Sequence, residues 1–144
     1  MLISDLLKNQ VVISGSPHQT VLEVARLMVA HNIGAVPILH DGRLVGIFSE
    51  RDLMNRVVVA GLDPTHVHVS QVMTEDPMTV QPQDSLETCM TLMRRHGFRH
   101  LPVCADRELK GIVSLRDILL HDLDEKDDEV RMMRAYLHST PEAS

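Results

Sequence analysis

Two heptapeptides in this chain carry side chains suited to holding a phosphorylated sugar. They are Gly46-Ile47-Phe48-Ser49-Glu50-Arg51-Asp52 and Gly111-Ile112-Val113-Ser114-Leu115-Arg116-Asp117. Each reads as an apolar strand running into the first turn of a helix. That turn leaves backbone N–H groups without partners and carries the positive end of the helix dipole, so it attracts an anion. Serine adds a hydroxyl, and arginine adds a planar fork matched to phosphate. A carboxylate accepts two hydrogen bonds at once, which suits the vicinal hydroxyls of a ribose. The same residues also meet a plainer need: Ser at the N-cap with Asp at the third helical position makes a good helix start without any ligand. Capping does not require the arginine, and the motif occurs twice. On these residues alone the two readings stay open.

The doubling belongs to an internal repeat. Sliding Pro17 onto Pro82 aligns everything from Pro17 to Leu53 with the stretch from Pro82 to Ile118, without a gap, and a dozen of the aligned residues are identical. Among them are Leu27-Met28 with Leu92-Met93, His31 with His96, Pro37 with Pro102 and Asp41 with Asp106. Composition alone gives roughly one match in fifteen. Two copies are too few for an open solenoid and pack more naturally face to face.

Each copy must position its motif with the same elements. A short extended piece opens it, Val11–Ile13 in the first copy and Met78–Val80 in the second. Thr20-Val-Leu-Glu23 and Asp84-Ser-Leu-Glu87 have the form of a capping box, the second one position earlier in register. Val21, Val24, Ala25 and Met28 form one helical stripe, and Leu86, Cys89, Met90 and Met93 the other. Asn32-Ile-Gly34 and His96-Gly97 end these helices. Two strands follow, Ala35–Leu39 and Leu44–Phe48 about a turn at Asp41-Gly42, then His100–Cys104 and Leu109–Val113 about Asp106-Arg107. A second helix starts at Ser49 or Ser114. The expected fold is α+β: two pseudo-symmetric strand-helix-strand-strand-helix repeats packed sheet to sheet, plus a C-terminal helix. Residues 1–75 hold the first copy with the N-terminal segment and linker, 76–123 the second, and 124–144 an acidic helix and tail. In that tail Val130, Met133 and Leu137 share a face, and Pro141 is the expected stop. The helix either packs back on the domain or makes a dimer contact.

Composition narrows the function. The 144 residues include 2% aromatics, too few for base-stacking platforms, and a net charge of −6 disfavours polyanions. Nucleic acid and membrane are therefore not expected as partners. Two cysteines, Cys89 and Cys104, read as core residues of a cytoplasmic protein. The N-terminal stretch lacks the basic leader of a signal peptide, and no apolar run approaches a bilayer span. His66-Val-His68 is a candidate metal clip, but no cysteine stands nearby in sequence, and no metal is expected.

The pattern Leu/Val-Pro-Val/Ile followed by Gly-Ile-x-Ser-x-x-Asp resembles the cystathionine-β-synthase (CBS) domain, and two in tandem resemble a Bateman module. The likeness covers roughly Val11–Ala60 and Met73–Leu123. It implies a regulatory module, paired as a homodimer, that binds AMP, ADP, ATP, S-adenosylmethionine or NAD(H) as ligand rather than required cofactor. An unknown protein would be regulated. By the same likeness Asp52 and Asp117 hold ribose, and Ser49 and Ser114 contact phosphate or ribose, with Arg51 and Arg116 beside them and Ile47 and Ile112 in the same stretches. The Asp52 cleft is then lined by Met78, Thr79, Val80 and Phe98, and the Asp117 cleft by Ile13, Ser14, Gly15 and Ile33. Arg99-His100 resembles, in swapped order, the His-Arg pair that contacts nucleotide phosphates in the γ subunit of AMP-activated protein kinase. The first copy has Gly34 and Ala35 there, so the Asp52 cleft should prefer more phosphate. The alternative is that Arg99 and His100 are solvated edge residues.

Two other functions compete. Inosine-monophosphate dehydrogenase carries a similar pair, but its roughly 250-residue barrel does not fit in this chain, and no nucleophile–base constellation is present, so no enzyme is expected. The other is a protein-interaction or dimerisation scaffold without a nucleotide.

Overall fold

A computed structural model describes residues 1–139, with side chains to residue 137. The turn α1 (Ile3–Leu6) precedes α2 (Val21–His31), the hairpin β1 (Ala35–His40) and β2 (Arg43–Ser49), and α3 (Glu50–Asp52), which continues as a π-helical stretch over Leu53–Val58. A 3-10 turn (Val69–Gln71) and the short strand β3 (Thr74–Glu75) lead to α4 (Leu86–His96), the hairpin β4 (His100–Ala105) and β5 (Glu108–Ser114), and the long helix α5 (Leu115–Ser139). The order is the expected α+β unit, twice.

Local chemistry explains the matched ends. Thr20 Oγ1 accepts from the Glu23 N–H and caps α2. Ser85, the counterpart of Thr20 in the second copy, does the same for α4 with the Thr88 N–H, so the cap falls there and not on Asp84. Asp84 instead accepts from the Gln81 N–H at 2.8 Å. Asn32 and Gly97 close the two helices in the left-handed region, at φ 51° and 72°. Both hairpin turns place two residues at positive φ, Asp41-Gly42 and Asp106-Arg107, the twist that matches paired strands.

The opening strands are shorter than expected and differently placed. Val11–Ile13 and Met78–Val80 do not pair as strands. Single parallel bridges form at Gly15 with Ile38 and at Val80 with Val103. Gly15, not Ile13, is thus the counterpart of Val80, and Pro17 and Pro82 turn the chain away two residues later.

The sheet runs β1-β2-β5-β4, with β3 on β2. The hairpins join where Arg43 pairs with Glu108, its own counterpart in the second copy, so this pair marks the pseudo-twofold axis. Two cores result: Phe48, Ile38, Val21 and Val24 centre the first, and Leu101, Val103, Cys89 and Ile118 the second. Burial pushes the Cys89 thiol up to about 11, with Asp84 adding to the effect.

Packing crosses the order of the chain. The Ile3 N–H donates to Asp84 O and the Ser4 N–H to Pro82 O, both at 2.9 Å. In the other half the Val69 N–H donates to Gln19 O and the Ser70 N–H to Pro17 O. Ile3 therefore completes the second core, while Val69, Val72 and Met73 complete the first. Two equivalent glycines allow the crossing. A Cβ on Gly111 would stand 2.5 Å from Gln10 Oε1 and 2.8 Å from Leu7 Cδ2, and one on Gly46 would overlap the Met73 thioether. Gln10 also pairs with the main chain of Ile112 through both amide atoms, at 2.8 Å each.

The separate C-terminal helix expected from residue 124 is instead the second half of α5. No Gly or Pro interrupts residues 115–139, so the helix that starts after Ser114 propagates through the acidic run. Residues 122–137 are all exposed. Pro141 lies outside the described residues. Among the described residues no helix is long and apolar enough to cross a membrane.

Candidate functional site

The first motif ends β2 and starts α3. Ser49 Oγ accepts from the Asp52 N–H at 3.2 Å, and Asp52 Oδ2 accepts from both the Ser49 N–H (3.0 Å) and the Ser49 hydroxyl (3.1 Å). Asp52 is thus a helix cap, as the plainer reading required, and among the described residues it is the one charged side chain that is buried. Its other oxygen lies 3.7 Å from Arg56 Nε. A carboxylate offers about four acceptor positions, so capping leaves this group able to receive further hydroxyls. The second motif differs. Ser114 Oγ accepts from the Asp117 N–H at 3.0 Å, and Asp117 is exposed.

Both motifs open onto crevices. The first, of about 300 Å³, brings Ile47, Ser49, Arg51 and Asp52 from one repeat against Met78, Phe98, Arg99 and His100 from the other. The second, of about 920 Å³, brings Ile112, Ser114, Arg116 and Asp117 against Ile13, Ile33, Gly34 and Ala35. Four of the expected lining residues lie in neither crevice. Gly15 and Val80 face inward in their bridges to β1 and β4 and are buried, and their neighbours Ser14 and Thr79 turn outward to solvent.

The structure adds residues that the spacing of the motifs does not reveal. Arg56, Thr74, Pro77 and His96 line the first crevice. Arg56 is placed by the swapped linker, donating to Val72 O (3.2 Å) and Met73 O (2.9 Å). An Arg one helical turn after the motif Asp was the available signal. Arg51 reaches across the repeats, its Nη1 donating to Gly97 O at the C-terminal end of α4. Phe98 stacks on His96 with centroids 5.4 Å apart and planes inclined by 18°, an aromatic surface at the crevice mouth.

Arg99 and His100 line both crevices, together with Gly34 and Glu50. They therefore do not belong to the Asp52 cleft alone. A Cβ on Gly34 would stand 3.3 Å from the His100 ring, so glycine is what lets this shared wall close. Burial lowers the His100 pKa below the ordinary 6.5, against the pull of Glu50 and Asp117 and with the push of Arg99. At neutral pH it is an uncharged ring and not a second cation. Above pH 6.5 folded and unfolded chains both hold it neutral. As pH falls through 6.5, the unfolded chain protonates first and stability drops, until the folded form protonates too and the loss levels off. We expect the melting temperature to fall more between pH 7.5 and 5.5 in the wild type than in His100→Asn; equal slopes would remove His100 as the source.

His66 and His68 do not converge. His66 Nδ1 contacts Asp63 Oδ2 and His68 Nδ1 contacts His18 O, each at 2.8 Å. Among the described residues no group of three His, Cys, Asp or Glu is placed to hold a metal.

The family model for the CBS domain matches residues 3–59 and again 69–124. The chain belongs to the CBS domain family. CBS domain-containing protein YhcV of Bacillus subtilis is 36% identical over 121 residues, covering 84% of this chain and 85% of that protein. Among solved structures, the CBS-domain containing protein ATU1752 from Agrobacterium tumefaciens has a TM-score of 0.79 at 34% identity, over 85% of this chain and 99% of that one. The CBS domain protein PAE2072 from Pyrobaculum aerophilum, complexed with AMP, has a TM-score of 0.75 at 30% identity, over 84% and 97%. The two matches begin at the segments that pack across the order of the chain, Ile3 and Val69.

Proposed function

We propose that this CBS pair is a regulatory ligand-sensing module that takes an adenosine-containing nucleotide, AMP, ADP or ATP, in the crevices between its repeats. One observation carries the reading. A carboxylate and hydroxyl from one repeat, Asp52 and Ser49, face an aromatic ring and a guanidinium from the other, Phe98 and Arg99, across a crevice of about 300 Å³. Ribose, adenine and phosphate each have a partner of suitable chemistry there. The AMP complex of PAE2072 supports the same ligand class. The first crevice holds Arg51, Arg56 and Arg99, the second Arg99 and Arg116, while each holds Glu50 and one motif Asp. The first is therefore the site for more phosphate. A ligand gripped by both repeats favours one relative arrangement of them, and a partner protein in the cytoplasm would read that arrangement, with no turnover.

Thermal melts with AMP, ADP, ATP, S-adenosylmethionine and NADH test this. A ligand at about 100 times its dissociation constant stabilises by about 2.7 kcal/mol. We expect a shift with at least one adenine nucleotide, reduced in Asp52→Asn and in Asp117→Asn. Melts that no nucleotide moves, or variants that respond like the wild type, would leave a protein-interaction scaffold as the better description.

A further inference from the structure

The two crevices are separated by a single thin wall. In the repeat, Gly34 is the counterpart of Arg99, and Glu50 of Leu115. Each pair is tied in the same way. The Glu50 N–H donates to Gly34 O at 3.0 Å, and the Leu115 N–H to Arg99 O at 2.8 Å. The start of each motif helix is therefore pinned beside the start of a strand, β1 or β4. The two junctions also touch each other. A Cβ on Gly34 would stand 3.3 Å from the His100 ring and 3.4 Å from Glu50 Oε1. Because Gly34, Glu50, Arg99 and His100 line both crevices, the partition is one layer of side chains thick.

The ties are symmetric but the charges are not. The first repeat brings a carboxylate to the wall, Glu50, and the second a guanidinium, Arg99. Burial keeps His100 uncharged at pH 8. Among the described residues, Arg99 is then the one cation that serves both crevices. A guanidinium fork grips one phosphate bidentately at a time. With Arg99 engaged, the first crevice still has Arg51 and Arg56 against Glu50 and Asp52. The second, without Arg99, has Arg116 against Glu50 and Asp117. Charges facing each other through a protein wall are screened less than charges in water. We propose that a phosphate seated in the first crevice takes Arg99 and repels a second phosphate across the wall, so that the second crevice is then filled by an adenosine ligand without phosphate. This rests on the nucleotide reading above and sets how the two sites share ligands.

Titration calorimetry of the full chain at pH 8 and low salt tests it, with AMP and adenosine as probes. Their affinity ratio isolates the phosphate, because base and ribose cancel. Asp52→Asn weakens the first crevice and reports the ratio for the second crevice alone. Asparagine caps a helix about as well as aspartate, so the fold is kept. The wild type carrying one equivalent of ATP reports the ratio for the second crevice with the first filled. We expect the preference for AMP over adenosine to be about 10-fold smaller in the ATP-loaded wild type than in Asp52→Asn, in the usual range for coupled sites. Adding Arg99→Gln to Asp52→Asn should reduce that preference without ATP, and leave adenosine binding unchanged. An equal ratio in the two states, or an Arg99→Gln change that leaves AMP as tight as before, overturns the coupling and leaves the nucleotide reading standing. A wild type that binds neither ATP, AMP nor adenosine overturns that reading and the coupling with it.

Discussion

Phe48→Ala is expected to cost about 3–5 kcal/mol, the range for emptying a fully buried phenylalanine site. Phe48 is the largest side chain with no exposure, and it sits at the centre of the first core among Val21, Val24 and Val36. The domain as a whole holds only about 5–15 kcal/mol, so the melting temperature should drop by roughly 10–20 °C. Val113 occupies the equivalent place in the second core and is smaller; Val113→Ala removes fewer atoms and should move the melt less. Equal drops for the two variants would show that the cores are not loaded as the burial indicates. Phe48 also precedes Ser49, so loss of the core should loosen the first crevice before the second.

Ile3→Ala should cost about 2–5 kcal/mol, although Ile3 is the third residue of the chain, where truncation is commonly tolerated. The reason is its burial in the second core and the two main-chain bonds that α1 makes with Pro82 and Asp84. Amide hydrogen exchange would locate the damage. Protection should fall over α4, β4 and β5, in the far half of the sequence, and hold over α2, β1 and β2. Protection lost first around Val21–Ser49 would mean that α1 serves its own repeat instead.

The hairpins, their turns and both motif helices were legible because their signals are short-range. A Pro early in each first strand, an Asp at each turn and a Ser at each cap act within about one helical turn of themselves, and the repeat states each one twice. The swap was not legible. Ile3 and Val69 lie outside the aligned stretch, and nothing local tells an isoleucine which of two similar cores it will enter. The continuity of α5 is legible in propensity alone, because no Gly or Pro stands between Leu115 and Ser139. The shared wall is not. The charge state of His100 depends on burial beside Gly34 and on the opposing pull of Glu50, both of which belong to the other repeat. Likewise, alternation along the opening segments decided that Gly15 and Val80 would point inward, and the register of that alternation is set by β1 and β4.

The length of α5 has a mechanical consequence. Its first turn, Leu115 to Asp117, borders the second crevice, and its far end is Ser139. At 1.5 Å per residue the rod is about 37 Å long. A tilt of about 10° at its root carries the tip of such a rod through about 6 Å. The length of α5 therefore converts any small rotation at its root into a displacement several times larger at its far end.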